Sequence, residues 1–368
     1  MRKSLLAAAL LSTAVIAVPF AAQAATKAAP AKAAAKKMAT PMGDYQVLRV
    51  DRIGGVGGSD YVYADVAGRK LYIARSGAAN NPRIDAFDLD TLQPAGSIPN
   101  ASAHGAAVDP KSGHGFATSK PVVMWDTKTM TTIKTINVDG NPDGLLFEPY
   151  SGEVMIYSHA APNVTRIKAS DGSVAGTIDL GGMPEQSQSD GKGHLYIDLE
   201  DKNQVAVVDT KTMKVTAKYD LGGSTAPAGL GLDAKNHILF VACRTPATMV
   251  ILNADTGKIL ATLPTGTGTD GAGFNPNTME AFTSQGDGTM TFVKEVSPTK
   301  FEVEQTLKDM TGARTSTLDT KTNRIFLIAS EVGPAPAPVP GAAPGRGGRG
   351  APVPGSFSII EVGRVAAK

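Results

Sequence analysis

The chain repeats itself every 39 to 44 residues, and a period of that length decides the fold before any strand is assigned. Asp65, Asp109, Glu148, Asp190, Asp233, Asn275 and Asp319 each precede a turn and an apolar strand, at intervals of 44, 39, 42, 43, 42 and 44 residues. After each anchor comes a β-branched or aromatic run, such as Lys70-Leu71-Tyr72-Ile73-Ala74 or Arg324-Ile325-Phe326-Leu327-Ile328. A loop, a second strand and a further turn follow, as in Met124-Trp125-Asp126-Thr127-Lys128-Thr129. The aspartate of that turn can accept hydrogen bonds from backbone two residues on, which stabilises a hairpin. Helical periodicity is absent throughout the repeats, and a unit of four short strands is the signature of a propeller blade. The expected fold is all-β, a seven-bladed β-propeller over residues 44–365. A two-sheet sandwich would not require such strict repetition.

The last unit ends at its third strand, Phe357 to Val362, while Tyr45 to Asp51 at the other end looks like an unattached fourth strand. Pairing the two would close the ring and remove an exposed edge, with Val47 and Tyr45 turned inward. Residues 333–355 interrupt the last unit with a Gly/Pro-rich insertion, a composition that reads as a flexible, partly polyproline-like loop.

Ahead of the repeats, Arg2 and Lys3 precede 14 small and apolar residues from Leu5 to Val18, then Ala22-Gln23-Ala24. That is the pattern of a signal peptide over residues 1–24 with cleavage near Ala25. The run is shorter than the roughly 20 residues a membrane-spanning helix needs, and no later segment is as long, so no membrane span is expected after cleavage. A periplasmic or secreted location follows. Residues 25–43, rich in Ala, Lys and Pro, read as a disordered linker. Without Arg2 and Lys3, 34 basic residues face 34 acidic ones, and four of the lysines lie in the linker. Residues 44–368 therefore carry a formal charge of −4, which gives no support to a nucleic-acid footprint. Cys243 is the sole cysteine, which excludes an intramolecular disulfide and a thiolate metal cluster; its apolar strand context reads as core.

The phrase Gln204-Val205-Ala206-Val207-Val208-Asp209-Thr210-Lys211-Thr212, followed by Asp220-Leu221-Gly222-Gly223, resembles the repeat of the YVTN family of β-propellers, including the exported YncE-like proteins. The third unit departs from it with Ile167-Lys168-Ala169-Ser170-Asp171-Gly172. The resemblance implies a secreted or periplasmic propeller that binds proteins, surfaces or nucleic acid. It carries no catalytic set, because the motif describes hairpins and not a reaction.

Propeller topology gathers the loops between blades, and the loops joining each blade's second and third strands, on one face around the central channel. The first kind supplies Asp60, His104, Asp143, Glu185, Gln186, Asp270 and Arg314. The second supplies Arg75, Lys120, His159, Glu200, Asp201, Arg244, Gln285 and Glu331. Asp60, His104, Asp143, Glu185, Gln186, Asp270, Arg314, His159 and Arg244 are the candidate ligand-binding set. The carboxylates and His104 suit a cation or polar ligand and Arg314 an anionic group. The same polar residues would also serve merely to hold neighbouring loops in register.

No G-x-S-x-G, H-E-x-x-H or phosphate-binding glycine loop is present, and no C-x-x-C-H haem site. The expectation is a non-catalytic binding or scaffold propeller of the cell envelope that needs no cofactor. Its partner would be a protein, a polymer or a small polar ligand. The alternative is a hydrolase or lyase of small cyclic esters that uses a divalent cation, supported by analogy with propeller lactonases.

Overall fold

The repeat's anchors act as turn caps. Asp109 accepts hydrogen bonds from the backbone N–H of Lys111 and Ser112, Glu148 from Tyr150 and Ser151, Asp190 from Lys192, Gly193 and His194, and Asn275 from Asn277. The second recurring aspartate does the same one hairpin later, as Asp126 does for Lys128 and Thr129 and Asp209 for Lys211 and Thr212. Each unit therefore carries its own turn chemistry, which is why the repeat is legible in the sequence.

The computed structural model describes residues 42–55, 59–75, 81–334 and 350–366. They form seven four-stranded antiparallel sheets and no helix. The protein is a seven-bladed β-propeller. The segment read as a signal peptide, and most of the linker and of the insertion, lie outside the described residues; Met42 and Gly43, read as the end of the linker, instead begin the first strand, where pairing with the C-terminal strand orders them.

Six blades are continuous in sequence, blade 1 over residues 62–99, blade 2 over 106–136, blade 3 over 142–178, blade 4 over 184–220, blade 5 over 225–264 and blade 6 over 269–308, and blade 7 is composite, ordered Met42–Arg52, Ser358–Ala366, Arg324–Ala329, Ser316–Asp319. Tyr45 pairs with Arg364, Val47 with Val362 and Arg52 with Ser358. Tyr45 is the buried side chain of the N-terminal strand at 2 % exposure, whereas Val47 is half-buried. The two described ends of the insertion meet through a Val332–Pro352 bridge, with Gly333 N–H donating to Ala351 and Val353 N–H to Glu331.

Seven apolar clusters lie among the described residues, each built from two adjacent blades. One joins Tyr72 and Ile84 of blade 1 to Val123 and Trp125 of blade 2, and another joins Leu71 and Ile73 of blade 1 to Phe326 and Ile359 of blade 7. A middle strand such as Arg324–Ala329 is buried on both faces from Ile325 onward, which is why it reads as an unbroken apolar run. Outer strands such as Lys214–Asp220 alternate between half-buried and exposed positions. The innermost strands approach at backbone distance between blades 5 and 6. A Cβ at Gly229 would stand 2.8 Å from Ala272 N and from the Gly271 carbonyl carbon, so only glycine fits. Cys243 lies fully buried in a strand of blade 5.

Candidate functional site

The inner loops place one residue per blade at a fixed distance from the turn-capping anchor. Asp60, His104, Asp143, Glu185, Ala228, Asp270 and Arg314 each stand five positions before it. Because side chains alternate along a strand, equal offsets from equivalent turns deliver them to equivalent places around the channel mouth. Six of the seven are polar or charged. Blade 5 offers only Ala228 there, and Arg244, from the outer end of its second strand, reaches in instead.

The result is a circuit of opposite charges to which every blade contributes. His104 Nδ1 lies 2.9 Å from Asp60 Oδ2 and 3.2 Å from Asp143 Oδ1. His159 Nε2 lies 3.3 Å from Asp143 Oδ2 and 3.6 Å from Glu185 Oε1. Glu185 also accepts the Tyr61 hydroxyl at 3.2 Å and neighbours Glu200, which pairs with Arg244. Arg244 pairs in turn with Asp270, whose other oxygen takes Arg314 Nε at 2.9 Å. Arg314 stands 3.9 Å from Asp60, which completes the ring. A cavity of 220 Å³ lies between these side chains and Asn141.

Electrostatics divides the ring in two. Burial dominates at Glu185, with the Asp270 and Glu200 charges adding to it, and pushes its carboxyl well above the usual range. Asp143 is raised by burial against the opposing pull of His104 and, more weakly, His159. His104 is raised in turn by its hydrogen bond to Asp60. Asp270 is raised although two guanidiniums touch it, because burial outweighs them. The arginine half thus carries permanent positive charge against its carboxylates, while the histidine half has only imidazoles. Beneath blade 4's contribution lies Asp198, wholly buried, with neither carboxylate oxygen hydrogen-bonded. Burial and then the Glu185 charge raise it far above its ordinary value.

Below the mouth the channel widens into a largely apolar cavity of 540 Å³ lined by Tyr61, Tyr63, Val108, Leu145, Phe274 and Leu318 among others. Gln186 belongs there and not in the ring. Its Oε1 accepts the backbone N–H groups of Leu230 at 3.0 Å and Ala272 at 3.1 Å, while Gln188 donates to Leu230 O at 2.9 Å. Two glutamines of blade 4 thus satisfy inner-strand edges of blades 5 and 6, which a propeller channel leaves unpaired.

Eight of the nine candidate residues therefore converge, Gln186 being the exception. Of the remaining outer-loop residues only Glu200 joins them. Arg75 is 1 % exposed, stacked on the Phe357 ring at 3.8 Å and donating to Gly54 O. Gln285 is buried within its own hairpin, Lys120 donates to Gly140 O, Asp201 accepts Met183 N–H, and Glu331 pairs with Arg52. Tyr61 was missed by sequence reasoning, although its position beside Asp60 held the signal. His114, His194 and His237 sit at first-hairpin turns, bonded to Ala169 O, Asp190 and Asp255.

Comparison with solved structures finds chains of similar fold. A chain in a structure titled "Crystal Structure of Mitotic Checkpoint Complex" is 13 % identical with a TM-score of 0.65, covering 86 % of this chain and 96 % of its own. The WD40 repeats of RRP9 are 11 % identical with a TM-score of 0.66, covering 88 % and 100 %. At such identities the likeness is one of fold alone. No protein-family model and no curated protein sequence matches the chain.

Proposed function

We propose that this chain is an exported propeller of the cell envelope, of the YVTN type, that binds its partner at the channel mouth without catalysing a reaction. The observation that carries the reading is the ring itself. Nine titratable side chains drawn from all seven blades meet around one 220 Å³ cavity, which is more polar convergence than holding loops in register requires. That simpler task is already performed by backbone contacts such as Tyr61 N–H to His104 O and by the Thr315 hydroxyl on Asp60 O. The partner is a protein or polymer segment with paired acidic and basic groups. Arg244 and Arg314 would receive its carboxylates and the histidine arc its cations or hydrogen-bond donors. A chain of similar fold comes from a structure titled as a complex, which is compatible with such a role. The negative balance of residues 44–368 disfavours nucleic acid.

The test compares the mature protein with an Arg244→Gln/Arg314→Gln variant of matched melting temperature. Each is used to isolate binders from an envelope fraction, and purified binders are then titrated by calorimetry. A binder at micromolar affinity that the variant loses at least tenfold is the expected result. Equal binding by both proteins overturns the assignment of the mouth. Export is read separately by intact mass, which should begin near Ala25; a retained Met1 segment contradicts it.

The second reading, hydrolysis of small cyclic esters, is favoured by one observation, the meeting of two histidines and three carboxylates. Turnover of a lactone panel that Asp143→Asn abolishes would establish it in place of the first.

A further inference from the structure

We infer that the histidine half of the ring binds two divalent transition-metal ions, one held by Asp60, His104 and Asp143, the other by Asp143, His159 and Glu185, with the Asp143 carboxylate bridging them. The inference deepens the proposed function, since it rests on the channel mouth being the ligand face.

Geometry carries it. Asp143 turns Oδ1 towards His104 and Oδ2 towards His159, the disposition of a carboxylate that spans two ions. Ligands about 2.0–2.2 Å from an ion at tetrahedral angles stand about 3.3–3.6 Å apart, and about 3.0 Å apart at right angles. The His159 set shows 3.3 and 3.6 Å and the His104 set 2.9 and 3.2 Å. The histidine–carboxylate distances of both sets thus match the edges of a metal's coordination shell. The ligand atoms within each set all lie within 4.8 Å of one another.

Three further observations agree. His159 Nε2 is buried, points at two carboxylates and makes no hydrogen bond. The other carboxylate oxygens have partners that fix their orientation: the Tyr61 hydroxyl on Glu185 Oε2 and Arg314 near Asp60 Oδ1. Such outer contacts are how proteins aim metal ligands. The charge distribution is also lopsided. Asp270 and Glu200 pair with guanidiniums, whereas Asp143 and Glu185 meet imidazoles and Asp60 meets His104 with a guanidinium only at 3.9 Å, so ions of charge +2 would supply what the arc lacks. Two imidazoles with carboxylates and no thiolate select zinc, cobalt or manganese over calcium or magnesium.

The experiment uses the mature full-length protein stripped with EDTA and titrated with Zn2+, Co2+, Mn2+ and Ca2+ by calorimetry, with Co2+ followed also by its visible absorption. Two equivalents of Zn2+ or Co2+ at micromolar affinity or tighter are expected. His104→Gln should retain one equivalent, Asp143→Asn none, and His237→Gln, an exposed histidine paired with Asp255 away from the mouth, both. Should Asp143→Asn fail to fold, judged by circular dichroism and melting, His159→Asn replaces it and should retain one. Fewer than two equivalents, preference for Ca2+, or undiminished binding by Asp143→Asn overturns the inference. Partner binding that survives EDTA and still requires Arg244 and Arg314 would leave the proposed function standing while the metal sites fail.

Discussion

Closing the ring through its first strand should depend on Tyr45 more than on any other residue of that strand. The ring of Tyr45 stacks on Phe292 of blade 6 at 3.7 Å and 9°, and its hydroxyl donates to Glu280 Oε2 at 2.5 Å. The Arg364 guanidinium lies 4.3 Å over its other face and pairs with Glu280 at 2.8 Å and Glu304 at 2.6 Å. Gln305 holds the Tyr45 backbone from both sides, accepting from its N–H and donating to its carbonyl, each at 2.8 Å. Burial pushes Glu280 upward, but the hydrogen bonds from Tyr45 and Thr278 and the Arg364 charge outweigh it and hold the carboxyl below its usual range. Tyr45 thus pins the N-terminal strand to blade 6 as well as to its own sheet.

Tyr45→Phe keeps the ring contacts and removes one hydrogen bond to a charged acceptor, a loss of about 1.5–3 kcal/mol. Glu280 retains Arg364 and Lys294 as partners, which favours the lower end of that range. Tyr45→Ala also removes a fully buried aromatic ring, at a cost of about 3–5 kcal/mol. A domain is typically stable by about 5–15 kcal/mol. Deleting residues through 52 removes the whole strand and exposes the edge of Ser358–Ala366, so aggregation or pairing between copies is expected. Urea unfolding of the point variants and light scattering after size exclusion of the truncation are the assays. A cost below about 1 kcal/mol for Tyr45→Ala, with a truncated chain that stays monomeric and melts like its parent, would refute this account of closure.

Three more outcomes are expected. Burial and then the Asp287 charge push Asp309 up to about 7, and neither of its oxygens is hydrogen-bonded; stability should therefore fall as pH rises from about 4 to about 7 and then level off. Asp309→Asn should equal the parent near pH 4 and exceed it at pH 8 by up to about 4 kcal/mol in urea unfolding, and a pH-independent difference would contradict this. Gln186→Ala leaves two buried backbone N–H groups without an acceptor and should cost about 1–3 kcal/mol for each, whereas no change in unfolding would mean that water replaces the amide. Deleting residues 336–348 should leave the melting temperature unchanged, while deleting 334–354 should lower it, because the Val332–Pro352 bridge and the Val353 N–H bond to Glu331 lie in the longer segment; equal melting of both deletions would show that this short ladder is dispensable.

What the sequence determined follows from local chemistry repeated seven times. An acidic or amide residue capping its own turn sets where each strand begins, and the period-two alternation then fixes which residues arrive at the channel mouth. That is why Asp60, His104, Asp143, Glu185, Asp270 and Arg314 could be named together from their spacing alone. What only the tertiary structure decided concerns long side chains with more than one place to go. Arg244 leans inward to fill the position that Ala228 leaves without charge, while Arg75, from the corresponding loop of blade 1, turns to stack on Phe357. Gln186, adjacent to Glu185, points the other way down the channel and spans two further blades. Asp198 reads as one polar residue in an apolar strand, and only the packing of blade 4 shows that it is wholly enclosed. The fates of Arg75, Arg244 and Gln186 depend on groups of other blades that a closed ring brings within reach, and no local propensity encodes such a contact.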